Sequence, residues 1–236
     1  MIPYLIINGV SSKTINGLMV QSLAPITKPP LRTEVEEIDG RDGEIVTELG
    51  YGAYTKPITI GLTRGYNVDD VIKFFCTSGD IIFSNELDKV YRFAVYEQID
   101  FERLLRFKTA QIKIRVQPFK YNANEGIIRW LDGGTIANIN ILNEGNIYSK
   151  PMITFRANGN VNIYINNEHI LEVSLTEETT VHIDPVSQNA TDDNGNYLNR
   201  LVTGDYDNIR LNAGENLVRI TGQLEEITIK EYSRWI

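Results

Sequence analysis

Downstream of about residue 121 the apolar residues fall on alternate positions in short runs, and that period of two leaves few folds open. Val161, Ile163 and Ile165 oppose Asn162 and Tyr164; Leu171, Val173 and Leu175 oppose Glu172 and Ser174. Ile139 and Ile141 face away from Asn138 and Asn140, Val181 and Ile183 flank His182, and Ile227 and Ile229 flank Thr228. Successive side chains of a strand point to opposite faces, so strict alternation marks half-buried strands. Asn158-Gly159, Asn194-Gly195 and Ala213-Gly214 punctuate the runs as turns. Short strands at this spacing, with no helical period, predict an antiparallel β-sandwich or jelly roll over residues 123–236. There are no heptads and no internal repeat.

The first half mixes periods. Tyr4 to Ile7 reads as a strand closed by Asn8-Gly9, and the segment from there to Leu23 is weakly patterned. Lys56 to Thr63 alternates Ile58, Ile60 and Leu62 against Thr59, Gly61 and Thr63. Asn67 to Ser78 predicts the one helix: Asn67 caps it, Asp69 and Asp70 sit in its positive first turn, and Gly79 stops it. Its expected apolar face is Val68, Val71, Ile72 and Phe75. Ile81–Phe83, Val90–Glu97 and Phe107–Phe119 read as strands, the last ended by Pro118. One helix among many strands predicts an α+β unit, a β-sandwich or twisted sheet with a helix laid across it. The turn-rich run Asn122 to Gly126 is the expected linker, which divides the chain into 1–122 and 123–236. The whole is therefore expected to be mainly β.

Between them lies an arm, about residues 30–54. Pro29-Pro30 leads in extended, Leu31 to Ile38 and Ile45 to Leu49 read as two strands, and Gly40-Arg41-Asp42-Gly43 reads as the turn. The arm is long, charged and poorly apolar, and an isolated hairpin is marginal in water. It must lie on something, its own domain or a neighbouring copy.

The formal charge of −8 argues against sequence-independent grip on nucleic acid, which needs a basic surface. An acidic lumen would still let DNA slide past. The single Cys76 excludes an intrachain disulfide and reads as a small buried hydrophobe of a reducing compartment. Met1-Ile2-Pro3-Tyr4 lacks the basic and apolar regions of a secretory signal, and no apolar run approaches the ~20 residues that span a bilayer. The only histidines are His169, after the turn-like Asn166-Asn167-Glu168, and His182, solvated on an alternating strand. No nucleophile stands beside either in a recognisable motif, and no set of His, Cys and carboxylates has metal-ligand spacing. Asp192-Asp193-Asn194-Gly195-Asn196 looks like a calcium loop, but Tyr197 and Thr203 occupy the EF-hand glycine and glutamate positions, so a hairpin tip is expected. Gly40 to Gly43 is likewise no nucleic-acid clamp, because strands flank it and Asp42 and Glu44 surround Arg41. No catalytic residue, metal or cofactor is expected. Tyr148, Tyr164, Tyr197 and Tyr206 are candidates for sugar stacking, and also for cross-strand packing.

Three sets of residues carry a family resemblance. The first is Pro30, Gly40-Arg41-Asp42-Gly43 and Tyr51. The second is Asn143-Glu144-Gly145 followed by Pro151-x-Ile153-x-Phe155. The third is Ile183-Asp184, Gly204-Asp205-Tyr206, Leu211, Gly214-Glu215-Asn216 and Tyr232-x-Arg234-Trp235. In order and spacing, along nearly the whole chain, they resemble the distal tail proteins (Dit) of long-tailed, non-contractile phages. Trp235 closing the series implies a short member with no added receptor- or carbohydrate-binding insertion. The resemblance implies a non-enzymatic homo-hexameric ring at the distal end of the virion tail, assembled in the bacterial host cytoplasm. The arm would belt the next subunit, with Pro30, Gly40, Arg41, Asp42, Gly43 and Tyr51 at the interface. The C-terminal sandwich, galectin-like in this family, would be the docking platform. Implied partners are the tail tube, tape measure, tail-tip and receptor-binding or baseplate proteins, with DNA passing through the lumen and no membrane contact. Two other readings stay in view: a module recognising host cell-wall saccharide, and a wall hydrolase, against which the scarce histidines weigh.

Overall fold

The computed structural model describes residues 2–40, 42–75, 77–94 and 101–236, the side chains of 101–103 excepted. The protein is mainly β and divides into two compact units, Met1–Ala123 with Ile236, and Asn124–Trp235.

The first unit contains β1 (Leu5–Ile7), β2 (Val10–Ser11), β3 (Leu18–Ser22), β4 (Leu31–Glu37), β5 (Glu44–Tyr51) and β6 (Tyr54–Leu62). Helix α1 (Val68–Phe75), β7 (Ser78–Phe83), β8 (Lys89–Ala94), helix α2 (Phe101–Phe107) and β9 (Thr109–Asn122) complete it. The body sheet runs β2-β1-β7-β8-β9-β6-β3, antiparallel throughout. Ile58 and Ile60 of β6 and Ile112, Ile114 and Val116 of β9 are in phase and buried. They meet Val71, Phe74 and Phe75 of α1 and Leu104 of α2 in one core.

Three local expectations change. Helix α1 is shorter than Asn67 to Ser78, and Phe74, absent from the expected face, is buried while Val68 and Ile72 are only partly so. Gly79 is no helix stop. It lies in β7 at φ 134°, and a Cβ there would strike the Asn8 side chain, which bonds Ser78 O (3.0 Å) and Asp80 N (2.9 Å). Pro118 does not end β9. The β6 pairing stops at Tyr54–Val116, and the β8 register jumps between Phe93–Val116 and Tyr91–Lys120, so the proline sits in a bulge where its missing N–H is tolerated. The structure adds β3 and α2, neither of which the sequence pattern shows. A seven-residue helix such as α2 depends on tertiary contacts more than on periodicity. Cys76 and the end of the Val90–Glu97 strand lie outside the described residues.

The second unit contains β10 (Ile128–Trp130), β11 (Gly134–Asn143), β12 (Met152–Ile165), β13 (Glu168–Ser174), β14 (Thr179–Asp184), β15 (Asn189–Thr191), β16 (Val202–Gly204) and β17 (Gly214–Lys230). Strands β12 and β17 pair along most of their length. The first half of β12 also pairs with β14, and its second half with β13. Likewise β17 takes β11 on its first half and β10 on its last residues. The two long strands therefore pass through both layers of a sandwich, turning at the register shift between Asn158 and Asn162. Gly222 occupies that corner at φ 146°, where a Cβ would lie 2.8 Å from Asn160 O. Residues of both layers share one core, with Val161, Ile163, Leu171, Val218 and Ile220 meeting Ile153, Phe155, Val181, Ile227 and Ile229.

Candidate functional site: the hairpin arm

Strands β4 and β5 pair with each other and, among the described residues, with no other strand. Their register runs from Leu31–Tyr51 to Glu37–Glu44, leaving residues 38–40, 42 and 43 in the turn. Gly40 (φ 82°) and Gly43 (φ 85°) take the left-handed conformation that the reversal requires. Gly50 (φ 93°) sits at a bulge opposite Arg32. All of β4 is exposed, as is β5 except Ile45 and Tyr51. The exposed set includes Leu31, Val35, Val46 and Leu49, unusual for strand residues of this type, and Ile38 just past β4 is exposed too. Within the arm, Val35 directly opposes Val46 and Glu37 directly opposes Glu44. The second pairing sets two like charges together, which costs stability. Asp42 is exposed, and Arg41 lies outside the described residues.

The root of the arm is held where the tip is not. Gly52 N donates to Pro30 O (2.8 Å), Arg32 Nη2 donates to Leu49 O (3.1 Å), and the Tyr51 ring meets Phe119 of β9 edge-on at 5.8 Å. Beneath lies a buried polar network. Lys56, in phase with Ile58 and Ile60, is 2% exposed, and its Nζ donates to Pro25 O (3.0 Å) in the lead-in to the arm. It lies 5.1 Å from the Tyr91 ring centroid and 5.5 Å from that of Phe83. Burial pulls the Lys56 ammonium below its ordinary value, partly offset by the Glu86 carboxylate. Glu86 in turn accepts from Lys120 Nζ (2.8 Å) and Tyr91 OH (2.5 Å). Burial and the Glu86 charge push the Tyr54 phenol up to about 12. A lysine in phase with buried isoleucines was the sequence signal for this anchor.

Charge is divided by segment. Residues 30–54 carry seven carboxylates against two arginines, a net of −5. The rest of the first unit, residues 1–29 and 55–123, carries thirteen lysines and arginines against eight carboxylates, a net of +5. Residues 124–236 carry eight against sixteen, a net of −8. On the outer face of β9, Lys113 and Arg115 are exposed between the buried Ile112, Ile114 and Val116. Their neighbours across the ladder are Pro57 and Thr55 on β6 and Ala94 on β8. Alternation along β9 sets both cations opposite the buried apolar residues, and their sign is opposite to the net charge of the arm.

The remaining candidate residues are engaged locally. His182 Nδ1 lies 3.0 Å from the cross-strand Thr154 Oγ1 and Nε2 lies 2.9 Å from Asp193 Oδ1. His169 stands within β13, edge-on to Tyr164 at 5.1 Å, and the turn before it is Asn166-Asn167 alone, both at positive φ. Asp192 spends its carboxylate on its own loop, accepting from Asn194 N, Asn196 N and Asn196 Nδ2 at 2.8–2.9 Å. Arg219 covers Tyr164, and Arg210 and Arg234 cover Tyr148, so of the four tyrosines Tyr197 is the openly exposed one. The two asparagine motifs clamp backbone. Buried Asn143 donates through Nδ2 to Ile147 O and Leu211 O (3.0 Å each) and accepts from Gly145 N. Asn216 bonds Asn212 twice and also Gly214 and Asn166. Among the described residues no three His, Cys, Asp or Glu converge as a metal site, and no helix is long and apolar enough to cross a membrane.

No protein-family model and no curated protein matches the chain. Solved structures do. The SPP1 Dit protein, described as a paradigm of the hub adsorption apparatus in phages infecting Gram-positive bacteria, superposes with a TM-score of 0.68. It is 16% identical, and the match covers 100% of both chains. A chain of the phage p2 baseplate in its activated conformation with Sr matches with a TM-score of 0.53 at 8% identity, over 97% of this chain and 96% of that one. The protein thus has the fold of phage adsorption-hub and baseplate components along its full length.

Proposed function

We propose that this chain is a structural hub of a phage tail tip, closing as a hexameric ring that joins the tail tube to the tail-tip and receptor-binding proteins. The observation that carries the reading is the arm: a two-stranded limb with apolar residues in solvent, held at its root and, among the described residues, paired with no body strand. A free hairpin of this kind is marginal, so its ordered state calls for a surface to lie on. A limb reaching from each subunit to the next is a heterologous contact, and such contacts make rings when the rotation closes. Full-length likeness to the SPP1 hub protein supports the same assignment. Pro30 and Tyr51 set the direction in which the limb leaves. Gly40, Asp42 and Gly43 lie at the tip that would reach the neighbour, and the Arg41 guanidinium would take part in that contact.

The role is architectural rather than catalytic. The ring sits at the distal end of the virion tail, is built in the host cytoplasm, contacts the tape measure protein and passes DNA through its lumen without gripping it. Light scattering on the purified protein tests this directly. Rings of about 160 kDa, six times 26.8 kDa, are expected for the full chain, and a soluble monomer after deletion of Leu31 to Tyr51. A monomeric full chain, or rings that survive the deletion, would refute it.

A further inference from the structure

We infer that β11 is a pairing edge for a second copy of this chain, joined antiparallel about a two-fold axis through Ile139. The inference stands apart from the ring reading, because it concerns the second unit and not the arm. It starts from how the other sheet edges are protected. Native edges avoid unwanted pairing by being short, bulged or charged. Here β2, β10, β15 and β16 have two or three residues each, and β3 has five with a bulge between Val20 and Ser22. The arm strands β4 and β5 are long but carry five glutamates. Strand β11 lacks these devices along residues 136–143. It is ten residues long, has no charge and no proline, and its single register shift lies at its start, between Gly134 and Ile136. Among the described residues it pairs with β17 alone.

The residue pattern of the strand selects the occupant. Its outward face carries Ile136, Asn138, Asn140 and Leu142, all exposed, the two aliphatic ones by 58% and 55%. That series reads nearly the same from either end. Antiparallel pairing about Ile139 sets Ile136 against Leu142 of the second copy, and Asn138 against its Asn140. On the inward face Ala137 meets Ile141, and Ile139 meets its own counterpart. An isologous contact needs a patch that is its own complement, and this edge is one. Pairing extends the ladder across the two copies and gives both exposed aliphatic side chains an apolar cross-strand neighbour. The register also keeps like charges apart. Behind the outward face of β11 stand Thr221, Arg219, Leu217 and Glu215 of β17, so Glu215 lines up with Thr221 of the second copy and Arg219 with its Leu217. Residues 124–236 carry a net of −8, so two copies repel at long range and salt should strengthen the pair.

One strand edge is a small contact, so pairing belongs to concentrated solution and leaves the masses expected above for dilute protein. The test is sedimentation equilibrium of the full chain from about 1 µM to about 1 mM, read as a doubling of the mass present at the dilute end. The parent should double, and at lower concentration in about 0.5 M salt than in about 0.05 M. Asn138→Glu with Asn140→Glu sets like charges directly across the two-fold axis and should raise the doubling midpoint about tenfold or more. Asn138→Glu with Asn140→Lys sets opposite charges there and should double at or below the parent's concentration. Both positions are exposed, so both variants should melt as the parent does by circular dichroism. Three results overturn the inference: a mass that never doubles, doubling that survives the glutamate pair, and a charge swap that pairs no better than the glutamate pair. Each of them spares the ring reading, which is tested by deleting the arm.

Discussion

Val35 and Val46 face each other across the arm, 50% and 54% exposed, and a belt that wraps a neighbour should cover both. Full burial of a valine stabilises by about 1.5 kcal/mol at the low end, so covering the remaining half of each contributes about 1.5 kcal/mol per arm. Replacing both by threonine keeps the branched shape and the strand preference, removes that gain and adds two hydroxyls to desolvate. Each arm-to-neighbour contact should then weaken about tenfold. Because six such contacts would close the proposed ring, the concentration of half-dissociation should move at least that far. Sedimentation velocity over a dilution series of parent and Val35→Thr/Val46→Thr proteins measures it. Thermal melting of the dissociated chain should be nearly unchanged, since neither valine belongs to the body core. An unmoved ring midpoint would refute the reasoning, for it would mean that the exposed valines stay in water in the assembly.

Three further outcomes follow from the second unit. Asn143→Ala removes the donor to two carbonyls and the acceptor of Gly145 N in a buried site, and should cost about 2–4 kcal/mol in denaturant unfolding. Gly145→Ala would push a methyl into the Arg234 backbone, and calorimetry should show a fall in melting temperature at least as large as for an average core lesion. Burial, with the Glu231 charge adding, raises the Glu125 carboxyl to about 7, above its unfolded value of 4.5. Its stabilising contribution is complete below about pH 4.5 and is lost as pH rises through about 7, so the protein should melt lower at about pH 8 than at about pH 5. After discounting for partial solvent exposure the effect is about 1 kcal/mol, and Glu125→Gln should flatten it.

Much of this was legible in residue order. The alternation of Val161, Ile163 and Ile165, of Leu171 and Val173, and of Ile112, Ile114 and Val116 marks strands whose buried faces the structure reproduces. Gly40 and Gly43 mark the hairpin turn, and the acid-rich run around them marks a limb that cannot fold on its own strength. Other features were not written locally. Pro118 looked like a strand end because the bulge that accommodates it depends on where β8 lies. Gly79 looked like a helix stop because nothing nearby in sequence reveals that Asn8 will fill its missing side chain. Residues 101–107 have too few turns to show a helical period.

By itself, the sequence determined the class of the fold, the buried side of each long strand, the arm, and the sign of charge on each segment. These depend on period, turn chemistry and composition, which are properties of neighbours in the chain. Tertiary structure alone decided that β12 and β17 run through both layers and that Lys56 is an interior anchor. Period specifies which face a strand buries but not which strand it meets, and pairing across many tens of residues is settled only when the whole core closes.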